Sequence, residues 1–101
     1  MEKFLFFRNS TSDAALIPAS KITNYKASYN STSILFYLEG PIVGESDIVT
    51  ITVNTDQVHK VFHSLAEALN NPSLTFIVIA DDVDKEYLHS DITGVNSINL
   101  S

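Results

Sequence analysis

At 101 residues, with an apolar share of 45% and a charged share of 18%, the chain has the size and composition of one globular domain, residues 1–101. It contains no cysteine, which excludes disulfides and thiolate metal sites. Its net charge of −6 excludes a uniformly basic surface of the kind that binds nucleic acid.

The charges are unevenly distributed along the chain. Residues 1–30 have a net charge of +2, whereas residues 31–101 have a net charge of −8. Unlike charges attract between as well as within molecules, so this polarity favours contacts between copies of the chain.

Alternating apolar and polar side chains predict short strands in the first half of the chain. Five such segments precede the predicted helix, at residues 3–8, 14–18, 22–29, 32–39 and 48–53. Turn-length links join them, and sequential strands of this kind are typical of an antiparallel meander.

One amphipathic helix is predicted from about residue 55 to about residue 70. Asn54 or Thr55 is its predicted N-cap, and Pro72 ends it because proline disfavours helix at the preceding residue. Its apolar stripe comprises Val58, Val61, Phe62, Leu65 and Leu69.

The segment after the helix combines a doubly apolar strand with an acidic turn. Residues 74–80 are apolar on both faces of a strand, which predicts burial on both sides. The carboxylates that follow force the chain out of the core after Ala80. Residues 92–100 are predicted to form the last strand.

This layout of four or five strands, one helix and two strands predicts a mainly β fold of the α+β class. We expect either a bent antiparallel sheet or a small Sm/SH3-like barrel. Its predicted core comprises Phe4, Phe6, Ile34, Phe36, Val49, Ile51, Phe62, Leu65, Leu69, Phe76 and Val78.

Two groups of side chains are candidates for a divalent-metal site. His59 and His63 lie one helical turn apart, but Lys60 stands where the metalloprotease motif has glutamate. The other candidates are Asp81, Asp82, Asp84 and Glu86. No metal site is assigned, because a solvated helix face and an acidic turn account for both groups.

No catalytic template is present. The chain has no cysteine nucleophile and no GxSxG motif, and its three glycines form neither a P-loop nor a dinucleotide-binding fingerprint. We therefore predict that the protein is not an enzyme, and we assign no catalytic residue and no cofactor.

A basic and aromatic group is the candidate nucleic-acid site. It comprises Arg8, Lys21, Tyr25, Lys26 and Tyr29. Single-stranded nucleic acid binds surfaces on which aromatic rings stack bases beside positive charges. The alternative is that both tyrosines are half-buried strand residues.

Three strings resemble short uncharacterised proteins of marine phages and marine metagenomes. They are ALIPA at 15–19, FIVIADD at 76–82 and YLHSDITGV at 87–95. The initial FLFF and the central DIVTI extend the resemblance over most of the chain. The resemblance implies a phage-like origin and a role as a virion or assembly component, but it indicates no biochemical activity.

The order of elements is also similar to that of small Sm/Lsm-like barrels. The predicted helix follows the fourth or fifth strand, however, where an Sm protein places it first. The glycine-bearing Sm motifs that contact RNA are absent as well. The similarity therefore implies a similar shape and is a weaker indication of RNA binding.

The leading functional prediction is a non-enzymatic, self-associating structural protein, in which opposite charges bring copies together as a homo-oligomer. The alternatives are an Sm-like module for single-stranded RNA and a divalent-metal-binding protein. Other virion proteins are further expected partners.

The expected location is the host cytoplasm or the virion, because the N-terminus lacks a signal peptide and the apolar runs are far shorter than the ~20 residues of a membrane span.

Overall fold

Five strands precede the helix and three follow it, as a computed structural model shows for residues 2–28, 32–39 and 46–100. The elements are β1 Phe4–Ser10, β2 Asp13–Pro18, a 3-10 turn Ala19–Lys21, β3 Ile22–Ala27, β4 Ser33–Glu39, β5 Ser46–Val53, α1 Val58–Asn70, β6 Phe76–Asp81, β7 Glu86–Tyr87 and β8 Ile92–Asn99. The prediction of a mainly β, α+β fold with one helix is confirmed.

The strands form two separate sheets. Sheet A has the order β2-β1-β6-β7, and sheet B has the order β3-β4-β5-β8. The alternative of an Sm- or SH3-like barrel is therefore wrong, since the described strands do not close into one.

The expectation of a purely antiparallel sheet is also wrong, because β6 pairs with β1 in parallel. A parallel pair needs a crossover connection of a dozen or more residues. Sheet B's first three strands and α1 lie between β1 and β6 in the chain and supply that connection. The two-residue strand β7, which was not predicted, extends sheet A beyond β6.

The core lies between the inner faces of the two sheets. Phe7 from sheet A and Phe36 from sheet B are buried there, with ring centroids 5.0 Å apart in an edge-to-face arrangement. Helix α1 adds Val61 and Leu65 to the same cluster. The predicted core residues that are buried are Ile34, Phe36, Val49, Ile51 and Leu65.

The predicted core faces of β1 and β6 are wrong. Leu5 and Phe7 are buried in β1, whereas Phe4 and Phe6 are only partly so. Ile77 and Ile79 are buried in β6, whereas Val78 is partly exposed and Phe76 is 52% exposed, so the prediction that this strand is buried on both sides is also wrong. Both strands are apolar on both faces, so alternation alone does not select the face that packs inward. Phe62 and Leu69, also predicted as core, lie half-buried on the flank of α1.

Helix α1 begins later than predicted, at Val58. Asp56 adopts a left-handed backbone with φ of 63°. A right-handed helix cannot include such a residue, so α1 begins after it. Asn54 is not the N-cap, which is Gln57, and Gln57 makes no side-chain capping bond. The side-chain amide of Asn54 donates instead to Asp91 Oδ1 at 2.9 Å. Within residues 2–28, 32–39 and 46–100, no helix has the length and apolar character needed to cross a bilayer.

Candidate functional site

The outer face of sheet A is apolar. In the strand register, Phe4 lies opposite Phe76, while Phe6 lies between Leu16 of β2 and Val78 of β6. Leu16 and Phe76 are 53% and 52% exposed, the largest values among the large apolar side chains described. We call this surface the apolar patch, and it comprises Phe4, Phe6, Leu16, Phe76 and Val78.

Aromatic contacts order the middle of the apolar patch. The rings of Phe6 and Phe76 are tilted at 31° with centroids 5.6 Å apart. The guanidinium carbon of Arg8 lies 5.7 Å from the Phe6 ring centroid, a cation–π distance. The rings therefore form a continuous surface that Arg8 borders at one end.

Arg8 is bound to the acidic turn that follows β6. Its Nε and Nη2 donate to the two carboxylate oxygens of Asp81 at 2.8 and 2.7 Å, and Nη2 also lies 3.0 Å from Asp84 Oδ2. Asp81 is 3% exposed and also accepts bonds from the backbone amides of Val83 and Asp84. The bonds from Arg8 and from the two amides lower the pKa of the Asp81 carboxyl against the opposing effect of burial. The bond that Arg8 donates to Asp81 raises the pKa of Arg8.

Asp82 joins sheet A to sheet B. Its carboxylate accepts a bond from Tyr87 Oη at 2.8 Å and another from the backbone amide of Val95 in β8 at 3.0 Å. Gly94 makes room for this contact, because a Cβ there would lie 3.2 Å from Asp82 Oδ1. Burial, followed by the bond to Asp82, raises the pKa of Tyr87. The FIVIADD and YLHSDITGV strings thus meet at this junction and have a structural role.

The Tyr87→Phe substitution is expected to lower the free energy of unfolding by about 1 kcal/mol or less, since it removes one hydrogen bond to a partly exposed carboxylate. Urea denaturation at neutral pH measures the loss. Because the raised pKa of Tyr87 favours the neutral phenol in the folded state, the wild-type advantage should shrink as the pH rises above about 10. An advantage that grows with alkaline pH would contradict the assigned bond.

The metal candidates do not come together. His59 and His63 lie on the exposed side of α1, where His63 Nδ1 contacts Glu67 Oε1 at 2.8 Å. Among the candidates of the acidic turn, Asp81 and Asp82 are engaged as above, whereas Asp84 and Glu86 are exposed. Across the described parts of the chain, no three histidine or carboxylate side chains form a group that could hold a metal ion.

The nucleic-acid candidates are divided between the two sheets. Arg8 borders the apolar patch on sheet A, whereas Tyr25 and Lys26 lie in β3 of sheet B and Lys21 lies in the 3-10 turn. The Tyr25 ring packs edge-to-face on Phe36 with centroids 5.6 Å apart, and burial raises its pKa. Tyr29 lies outside the described residues.

Comparison of the chain with known protein families, with curated proteins and with solved structures gave no match. The function is therefore inferred from the geometry of the chain itself. The most informative feature is the apolar patch, whose aromatic residues were predicted to lie in the core. The available signal was the excess of apolar residues in β1 and β6, since one face of each strand is enough to fill the core.

Proposed function

We propose that the protein is a non-enzymatic interaction module that associates with further copies of itself through the apolar patch. The carrying observation is the outer face of sheet A, where large apolar side chains stand half exposed. A sheet face that meets water normally presents polar residues. Contiguous exposed apolar patches of a few hundred Å² are often interaction sites.

The charges at the two ends of the patch support pairing with a second copy. Lys3 precedes Phe4 at one end, and its carbonyl accepts a bond from the amide of Ala19, which begins the 3-10 turn that ends at Lys21. These two lysines outnumber Glu2, whose carboxylate accepts a bond from Ser20 in the same turn. The exposed carboxylates of Asp84 and Glu86 lie at the other end, beyond Arg8. Two patches that face each other about a two-fold axis perpendicular to β1 would place the basic end of each copy opposite the acidic end of the other.

The size of the patch sets the strength of this contact. Three strands spaced ~4.8 Å apart, over about five residues of ~3.3 Å each, cover about 240 Å² in projection. A stable dimer interface buries about 800 Å² per partner. The patch alone therefore supports weak, concentration-dependent association, which suits copies that gain further contacts in a larger assembly.

The resemblance to marine phage proteins supports a place in a virion or in its assembly, with other virion proteins as further partners and the host cytoplasm or the virion as the location. Weak contacts repeated between many copies are sufficient to hold such assemblies, because each copy is held by several neighbours at once.

Sedimentation across a concentration series tests the proposal. We expect the wild-type protein to self-associate, and Phe76→Glu to raise the dissociation constant at least tenfold, since it places a charge within a desolvated contact. Leu100→Glu is the matched control, because Leu100 is also an exposed apolar residue, 43% exposed, but lies after β8 outside the patch. Association should also weaken as salt screens the end charges.

Two outcomes would contradict the proposed function. The first is a wild-type protein that stays monomeric at high concentration. The second is self-association that Phe76→Glu leaves unchanged or that Leu100→Glu weakens equally.

The RNA-binding and metal-binding alternatives have less support. Arg8 is already paired with two carboxylates, and Tyr25 packs against the core residue Phe36, so neither is presented freely to a nucleotide. The histidines and the acidic turn lie on different elements, with no group suited to an ion among the residues described.

A further inference from the structure

A groove runs between strand β3 and helix α1, on the opposite sheet from the apolar patch. It contains two adjacent hollows of about 300 and about 360 Å³ that share Phe62 as a common wall. The first is lined by Tyr25, Phe62, Leu65, Ala66 and Leu69, and the second by Ala27, Asp56, Val58, His59 and Phe62. Each hollow thus has one wall from β3 and the other from α1, to which Asp56, just before the helix, adds in the second hollow.

Strand β3 is an edge strand of sheet B. On the side away from β4, none of the described strands pairs with it. The amide of Ser28 donates to the carbonyl of Ser33 at 2.9 Å, and bonded pairs alternate along antiparallel strands. Lys26 is therefore the next residue bonded to β4, and the backbone groups of Tyr25 and Ala27 face the open side.

The spacing of the hollows matches the repeat of a strand. Tyr25 lines the first hollow and Ala27 lines the second, and residues two apart in a strand are separated by ~6.6 Å. A segment added beside β3 would present its side chains toward α1 at that same interval. Two successive apolar side chains on one face of the segment would then enter the two hollows.

The positive charge of β3 favours acidic side chains on the other face of such a segment. Residues 14–38 contain Lys21 and Lys26 and no carboxylate. Lys26 is exposed and, by the alternation of the strand, points away from the groove. A carboxylate between the two apolar residues of an added strand would lie beside Lys26, and opposite charges in neighbouring strands stabilise their pairing.

We infer that the groove between β3 and α1 binds an extended peptide segment of a partner protein, apolar and acidic at alternate positions, which adds to sheet B beside β3. The backbone of Tyr25 and Ala27 supplies the hydrogen bonds, the two hollows receive the apolar side chains, and Lys26 pairs with the acidic position. Strand addition of this kind takes affinity from backbone bonds and specificity from alternate side-chain pockets.

A pair of synthetic peptide libraries tests the inference. Both are nonapeptides with valine, isoleucine, leucine, phenylalanine or tyrosine at the odd positions, and the even positions are all glutamate in one library and all lysine in the other. Binding is measured by fluorescence polarisation, and amide chemical shifts locate the site. We expect the best glutamate peptides to bind at least tenfold more tightly than their lysine counterparts, with shifts concentrated at residues 24–28 and along α1.

Two variants separate the components of the site. Lys26→Glu is expected to reverse the preference so that the lysine peptides bind more tightly. Ala66→Gln narrows the first hollow from the exposed side of α1 and is expected to weaken binding at least tenfold. His63→Gln, on a 77% exposed side chain of the same helix outside the groove, is the matched control and should leave binding unchanged.

Peptides N-methylated at the backbone amides that face β3 should lose binding, whereas methylation of the amides that face away should not, because only strand addition uses the former. Phe76→Glu should bind the peptides as the wild type does, which keeps this test separate from that of self-association. The inference is overturned if neither library binds at the solubility limit, if Lys26→Glu leaves the preference unchanged, or if a single-stranded oligouridylate binds this groove and the peptides do not.

Discussion

Replacing Phe7 with alanine is expected to lower the free energy of unfolding by about 3–5 kcal/mol. The Phe7 side chain is fully buried, and its ring packs edge-to-face on Phe36 from the other sheet. Truncation removes the free energy gained when a whole phenyl ring is transferred from water to the core. It also leaves a cavity between the two sheets. Urea denaturation followed by circular dichroism, at a concentration low enough to keep the protein monomeric, measures the loss.

The neighbouring Phe6→Ala substitution is the matched control. Phe6 has the same side chain one position earlier in the same strand, but it lies on the outer face of sheet A. Its loss is expected to cost about 1 kcal/mol or less, mainly through the ring contact with Phe76. A larger effect at Phe6 than at Phe7 would show that the inner and outer faces of sheet A have been exchanged.

The comparison of Phe6 with Phe7 also shows why part of the fold was beyond prediction from sequence. The string FLFF fills both faces of β1 with large apolar side chains, so its period of two identifies a strand but not the side that packs inward. The core face depends on where sheet B lies, and that is set by contacts far apart in sequence, such as Phe7 with Phe36.

Local signals were sufficient for the class and for most elements. Apolar spacing predicted α1 because its stripe has a helical period that no strand shares, and Asn70 is its last residue in both prediction and structure. The start of α1 was wrong by about one turn, because the left-handed backbone of Asp56 and the bond from Asn54 to Asp91 depend on contacts outside the helix.

Pairing between distant strands was the least predictable feature. Neighbouring segments were assumed to pair in sequence, as they do for β1 with β2 and for β3 through β5. The pairing of β1 with β6 spans most of the chain, and only this parallel contact brings Arg8 beside Asp81. The role of Arg8 as partner of the acidic turn could not follow from local sequence, where it was grouped with Tyr25 and Lys26 as a nucleic-acid candidate.

The chain was predicted to leave the core after Ala80, which is wrong by one to two residues: Asp81 ends β6 and is 3% exposed, and the exposed part of the turn begins at Val83. The first two carboxylates of the acidic turn were not predicted to be structural. Composition identifies Asp81 and Asp82 as charged, and charged residues are rarely buried without a partner. Their partners, Arg8 and the amide of Val95, come from β1 and β8. Fewer carboxylates of this turn are consequently available to a ligand than the sequence suggested.

Replacing Asp81 with asparagine is expected to lower the free energy of unfolding at neutral pH by about 1–2 kcal/mol, because the amide has only one acceptor oxygen. One of the two bonds from the partly exposed Arg8 is lost, and the other loses its negatively charged acceptor. Asp84→Asn is the matched control, since Asp84 contacts the same guanidinium but its side chain is 62% exposed. Its effect should be close to zero, as for most exposed ion pairs.

The pH dependence of the D81N protein provides the sharper measurement. The pKa of Asp81 is lower in the folded state than in the unfolded chain, chiefly through the bond from Arg8, so the ionised carboxylate stabilises the fold at neutral pH. That contribution is lost as the pH falls below about 4 and through the folded-state pKa, because the folded state must then take up the proton that the unfolded chain already holds. The difference in unfolding free energy between wild type and D81N should therefore be constant near neutral pH and shrink in acid. Urea denaturation of both proteins at successive pH values measures this difference. If it is the same in acid as at neutral pH, the Asp81 carboxylate does not stabilise this fold through its charge.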